Sequence, residues 1–191
     1  MAKVVAFNGS PRANGNTHRM LTAVLESIKA ADIETELVQV GGKAIHGCLS
    51  CYKCTEKKDK HCVIVKDFVN ECIDKMVAAD AMIFGSPSYF SDMTPELKAL
   101  IDRAGFVAFA NGGLFKRKIG AAVAVHRRGG AVNVFDSINH MFLMSQMIVP
   151  GSTYWNFGVG MDPGQVDNDE EAMRNMKDLG ETIAWLIRKL H

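Results

Sequence analysis

The 191-residue sequence has no apolar run approaching the roughly 18 residues that a bilayer-spanning helix needs. It also has no excess charge of either sign. Its 22 Lys and Arg residues face 21 Asp and Glu, for a formal net charge of +1. That balance offers no electrostatic reason to expect a nucleic acid or an anionic membrane surface as partner. No internal repeat, low-complexity tract or charge block interrupts the chain, so a single domain over 1–191 is expected. The opening MAKVVAF enters a strand directly, without room for a leader peptide, and the cytoplasm is the expected compartment. Hydrolase signatures are missing too: there is neither a G-x-S-x-G elbow nor an H-E-x-x-H helix. No acidic cluster follows the first strand, as a response-regulator-like phosphoacceptor would need.

What is present is alternation. Short apolar runs at Lys3–Asn8, Glu34–Val40, Ala81–Gly85 and Ile119–Val125 read as strands, and a fifth is expected from Ile148 to about Tyr154. Between them, Thr17–Ala30, Asp67–Ala79, Thr94–Phe109 and Ala131–Met147 carry apolar residues at helical spacing, and Glu170–Leu190 closes the chain as an amphipathic helix. Pro95 fits the first turn of the third helix. A βα alternation of this kind predicts an α/β fold: a parallel sheet with helices on both faces. With five strands the expected order is 2-1-3-4-5, and ligands bind beyond the carboxyl ends of the strands at the switch point.

The loop after strand one, FNGSPRANGNT, holds only Gly9 and Gly15, so a G-x-G-x-x-G dinucleotide loop is excluded. Gly15 is followed by Asn16 and Thr17 rather than by lysine, which argues against a nucleoside triphosphate with magnesium. What remains is a polar loop feeding a helix start. Ser10, Asn16 and Thr17 offer side-chain donors, Arg12 offers charge, and the unpaired N–H groups of the first turn favour an anion. That set suits one terminal phosphate of a mononucleotide. The rival reading is an ordinary strand-to-helix turn with a good cap.

The loop after strand three, GSPSYFSDMTPELKALIDR, places Pro87, Ser88, Tyr89 and Phe90 where a flat ring system would lie. Its polar neighbours make a solvent-edged loop a better reading than a core. The loop after strand four, HRRGG, concentrates positive charge at His126, Arg127 and Arg128, while Gly129 and Gly130 permit close approach of a ligand. A solvated basic turn is the competing reading there.

GSPRANGNT, the C-x-x-C-x-x-C run, GSPSYFSDMTPELKALIDR and HRRGG together resemble the NADPH-dependent FMN reductase branch of the flavodoxin-like fold, and within it the iron–sulfur flavoproteins. The resemblance implies bound FMN and a homodimer or homotetramer. It places Ser10, Arg12, Asn16 and Thr17 at the phosphate and Pro87, Ser88, Tyr89 and Phe90 along the isoalloxazine. His126, Arg127, Gly129 and Gly130 would close over the far side of the ring. Phe106, Phe109 and Trp155 are the residues that could reach a neighbouring chain's site.

The sequence has five cysteines. Cys48, Cys51, Cys54 and Cys62 fall in an insertion at about 44–63, in the run CLSCYKCTEKKDKHC. The spacing is compatible with the compact iron–sulfur flavoprotein motif, in which four thiolates hold a [4Fe–4S] cluster near the flavin. Zinc on four thiolates, or on three with His46 or His61, is a rival reading. So are a cycling dithiol and cysteines that have lost their cluster. Cys72 lies on the apolar face of a helix and reads as a small core residue.

The preferred function is therefore an FMN-dependent oxidoreductase. A ferredoxin-like donor, or NAD(P)H if there is no cluster, supplies electrons, and a small molecule accepts them. A non-enzymatic electron carrier is the alternative from a different class.

Overall fold

The computed structural model describes residues 2–190. Its core is a parallel sheet of β1 (Lys3–Asn8), β2 (Glu34–Gln39), β3 (Ala81–Pro87), β4 (Ile119–His126) and β5 (Phe157–Val159). The strand order is β2-β1-β3-β4-β5, so the expected α/β flavodoxin-like arrangement is present. In-register pairing joins Val4 to Thr35 on one side and to Ala81 on the other.

Alternation along the strands sorts side chains into two cores. Val4 and Ala6 of β1 join Ile83 of β3 and Val123 of β4 beneath α1 (Asn16–Lys29) and α6 (Glu170–Leu190). Val5 and Phe7 join Met82, Phe84 and Ala122 on the opposite face. That face is covered by α3 (Val69–Ala78), α4 (Pro95–Ala110) and α5 (Ala131–Met144). Phe84 is its centre, with the ring of Phe7 at 5.2 Å and that of Phe142 stacked at 5.5 Å. Cys72 is fully buried in this second core, and desolvation pushes its thiol up to about 12. It is an inert packing group at neutral pH.

The fifth strand is not the one expected. Ile148 makes a single parallel bridge to Ile119 at the sheet edge, and its N–H donates to Lys118 O. Pro150 has no N–H to continue the ladder. The chain leaves the edge, and Phe157–Val159 returns to pair with Ala124–His126. Two short elements also lie outside the expected set: α2 (Lys53–Lys57) inside the cysteine segment, and a 3₁₀ turn at Gln165–Asn168. Among the described residues no helix is long and apolar enough to cross a membrane.

Replacing Phe84 by alanine removes the ring that both neighbouring aromatics pack on. The expected cost is about 3–5 kcal/mol, to be read as a fall in the urea midpoint at unchanged slope.

Candidate functional site

The loops leaving β1, β2 and β3 are tied to one another at the carboxyl edge of the sheet. The Thr94 hydroxyl donates to Gly9 O at 2.7 Å, and Thr94 N donates to Ser86 Oγ at 3.0 Å. Asn8 Nδ2 donates to Gln39 Oε1 at 2.7 Å, and Gln39 Nε2 donates to both Ser10 O and Gly41 O at 2.7 Å. Gly41 allows this closeness, since a Cβ there would lie 2.3 Å from Gly9 O. Ser88 N donates to Val125 O at 2.7 Å and joins the third loop to β4.

These ties frame a cleft of about 170 Å³. Ser10, Arg12, Asn16 and Thr17 line one wall, and Pro87, Ser88 and Tyr89 the next. Val125, His126 and Arg127 form a third wall, and Gly160 with Met161 completes the rim. Larger hollows exist, of about 440 Å³ beside α1 and about 410 Å³ between α4 and α5. Neither collects the loops of the switch point, where an open α/β sheet binds its ligands.

Helix α1 begins at this cleft with Gly15 as its cap and no side-chain cap bond. By helix geometry the N–H groups of Asn16, Thr17 and His18 have no acceptor within the helix. Ser10 and Thr17 are buried beside them. The Nδ1 atom of His126 is buried without a hydrogen-bond partner. Unpaired donors at a helix start, with no acidic residue in its first turn, fit a phosphate.

Three residues of the expected site stand elsewhere. Phe90 and Ser91 both adopt left-handed backbone, with φ of 48° and 64°, in a tight turn closed by Tyr89 N to Asp92 O at 2.8 Å. That turn throws the Phe90 ring fully into solvent, so it does not line the cleft. Gly130 has φ of 86°, and a Cβ there would meet Ser88 Oγ at 2.4 Å. It supports the Tyr89 turn from behind. Gly129 borders open space.

Asn16 also differs from expectation in what its amide does. Nδ2 donates to Asp162 O at 2.9 Å, and Oδ1 accepts from Gly164 N at 2.8 Å. The amide therefore holds the loop after β5, and the groups left free to face the cleft are backbone N–H groups and hydroxyls. Arg12 Nη1 reaches the same loop through Met161 O at 2.7 Å. Sequence pattern does not point to Gly160 and Met161, because the run from Ile148 to about Tyr154 is the stronger strand signal and the three-residue FGV run the weaker one.

The cysteine segment lies on α4. Cys48, Cys51, Cys54 and Cys62 all border one small cavity, together with Tyr52, Phe106 and Arg103. Cys54 is buried, and desolvation raises its pKa; Cys48 and Cys51 are exposed. Ser50 N donates to Cys48 Sγ at 3.5 Å. Among the described residues no three His, Cys, Asp or Glu side chains stand close enough to share a metal ion. The donor set, four thiols on one cavity, suits a thiolate-bound centre; the sulfur positions do not describe one. Phe106 packs edge-on to Tyr52 at 5.6 Å, while Phe109 and Trp155 are exposed.

A five-stranded parallel sheet with a phosphate-suited helix start at its switch point defines a flavodoxin-like class of protein. Residues 2–162 match the family NADPH-dependent FMN reductase, and the chain belongs to that family. An iron–sulfur flavoprotein of Methanocaldococcus jannaschii is 35% identical over 193 aligned positions, covering 97% of each chain. One of Methanosarcina thermophila is 32% identical, covering 86% of this chain and 85% of its own. A WrbA-like flavodoxin from Agrobacterium tumefaciens shares the fold with a TM-score of 0.70 at 17% identity, over 99% of each chain.

Asn16→Ala would leave the N–H groups of Gly164 and Val166 without their acceptor and take one of two donors from the Asp162 carbonyl, which keeps Gln165 N. The expected cost is about 1–3 kcal/mol, with faster amide exchange at Gly164 measured by NMR.

Proposed function

We propose that the chain is an FMN-dependent oxidoreductase whose cofactor phosphate docks at the start of α1. The observation that carries this is the helix start itself: it is uncapped, polar and set at the switch point. Backbone N–H groups of Asn16 to His18, with the Ser10 and Thr17 hydroxyls, would hold the phosphate, and Arg12 would cover it. The volume of the cleft suits the phosphate end of the cofactor, with the flat ring extending along Pro87, Ser88 and Tyr89. His126 and Arg127 would face the ring from β4, adding donors and positive charge where negative charge accumulates on reduction.

The flavin would supply the redox chemistry, accepting two electrons and a proton and releasing them to a small-molecule acceptor. Cys48, Cys51, Cys54 and Cys62 would hold a [4Fe–4S] cluster that exchanges single electrons with a ferredoxin-like donor. The cysteine segment and the kinship with iron–sulfur flavoproteins support this reading. A second reading, in which NAD(P)H reduces FMN directly without a cluster, is supported by the match to the NADPH-dependent FMN reductase family. In both readings the protein works in the cytoplasm as a homodimer or homotetramer.

Riboflavin, which lacks the phosphate, tests the site by titration. FMN should bind at least about 100-fold tighter, roughly 2.7 kcal/mol, and Ser10→Ala with Thr17→Val should remove about tenfold of that. Equal binding of the two flavins would place the cofactor elsewhere. Iron and acid-labile sulfide measured after anaerobic purification separate the two readings: about four irons per chain support the cluster, and flavin absorbance alone supports the cluster-free reductase.

A further inference from the structure

Arg103 is a polar side chain in an apolar place. It sits on the buried face of α4, at 1% exposure, among Leu100, Ala104 and Val107. A buried guanidinium is tolerated when its donors are matched. Nη1 donates to Asp67 Oδ2 at 2.5 Å and to His46 O at 3.1 Å. Nη2 donates to Ile64 O at 2.8 Å. Asp67 in turn accepts from His46 N and Val69 N, both at 3.3 Å. His46 and Ile64 flank the cysteine run, so one side chain clips both ends of the insertion to α4.

Two of its five N–H groups are left over, one on Nη2 and the one on Nε. The Nε atom of Arg103 is buried and has no partner. Arg103 also lines the small cavity that Cys48, Cys51, Cys54 and Cys62 border, where the other lining side chains are mainly apolar. The Cys62 side chain interacts with the guanidinium there, so sulfur is an acceptor available on that side. A neutral thiol accepts weakly, whereas a thiolate or sulfide is a competent acceptor for a cationic N–H. Cys62 is itself fixed there, its N–H and C=O both bonded to the Asn70 amide at 2.8 Å.

We infer that Arg103 is a positioning residue for a thiolate-bound iron–sulfur centre, donating its unmatched Nε–H to one of that centre's sulfurs. The inference rests on the cluster reading proposed above. Donation from a buried cation favours the more negative, reduced state of the centre and so raises its potential. Asp67 sets the orientation of the guanidinium and closes the insertion around it.

The test uses the anaerobically purified full chain and two substitutions, Arg103→Lys and Asp67→Asn. Arg103→Lys keeps a cation beside Asp67 but removes the fork. Asp67→Asn loosens the clip and leaves the donor. Iron and sulfide content, melting temperature, and the separate midpoints of cluster and flavin are measured for each. Arg103→Lys should lower the cluster's reduction equilibrium about tenfold, ~59 mV for a one-electron couple, with the flavin midpoint unmoved. Loss of iron in Arg103→Lys with iron retained in Asp67→Asn would equally support donation. An unmoved cluster midpoint in loaded Arg103→Lys, or loss of iron in both variants, would reduce Arg103 to a structural clip and overturn the inference. Wild-type protein without iron would overturn the cluster reading and the inference together.

Discussion

The hydrogen bond from the Thr94 hydroxyl to the Gly9 carbonyl joins loops 85 positions apart in sequence. A parallel sheet pairs its strands along their length and then releases them at the carboxyl edge. Without a tie there, each loop would sample its own conformations. Thr94 closes the gap between β1 and β3, and the Asn8–Gln39–Ser10 relay closes the gap between β1 and β2. These bonds are buried or partly buried, where an unmatched partner is costly. They hold the start of α1 in one place, and whatever binds that start meets a preformed site.

Much of this was legible in sequence because it is periodic or local. Strand and helix order follow from apolar spacing, and α6 agrees with its expected bounds at Glu170–Leu190. The loop glycines and hydroxyls stand at the start of α1, in the cleft at the switch point where composition placed them. The fifth strand was not legible. Pro150 and Gly151 interrupt the edge, and three residues at Phe157–Val159 are too few to display a period. With that strand misplaced, the rim at Gly160 and Met161 was hidden. So was the partner of the Asn16 amide, which lies 146 positions away. Phe90 misled for a different reason: aromatic character in a loop suggests a ring platform, but backbone in the left-handed region decides where the ring goes.

The cysteine segment divides in the same way. The C-x-x-C spacing is visible by inspection, and it brings four thiols to one cavity. The Asp67–Arg103 pair is separated by 36 positions and carries no motif. Burial pushes the Asp67 carboxyl up, but Arg103 and the His46 and Val69 N–H groups outweigh it, so its pKa lies below the ordinary carboxylate value. A buried pair of this kind is poor evidence of net stability. Its value here is registry, since it fixes where the insertion starts and ends.

That registry has an evolutionary consequence. A segment fastened at both ends to a single arginine of α4, with a second hold on α3 through Cys62 and Asn70, is an accessory with its own attachment points. Its interior can grow, shrink or exchange its cysteines while the cleft at the start of α1 and the strand ladder stay untouched. A lineage that loses the fastening would be expected to lose the accessory as a unit, leaving a bare cofactor-binding scaffold that still folds.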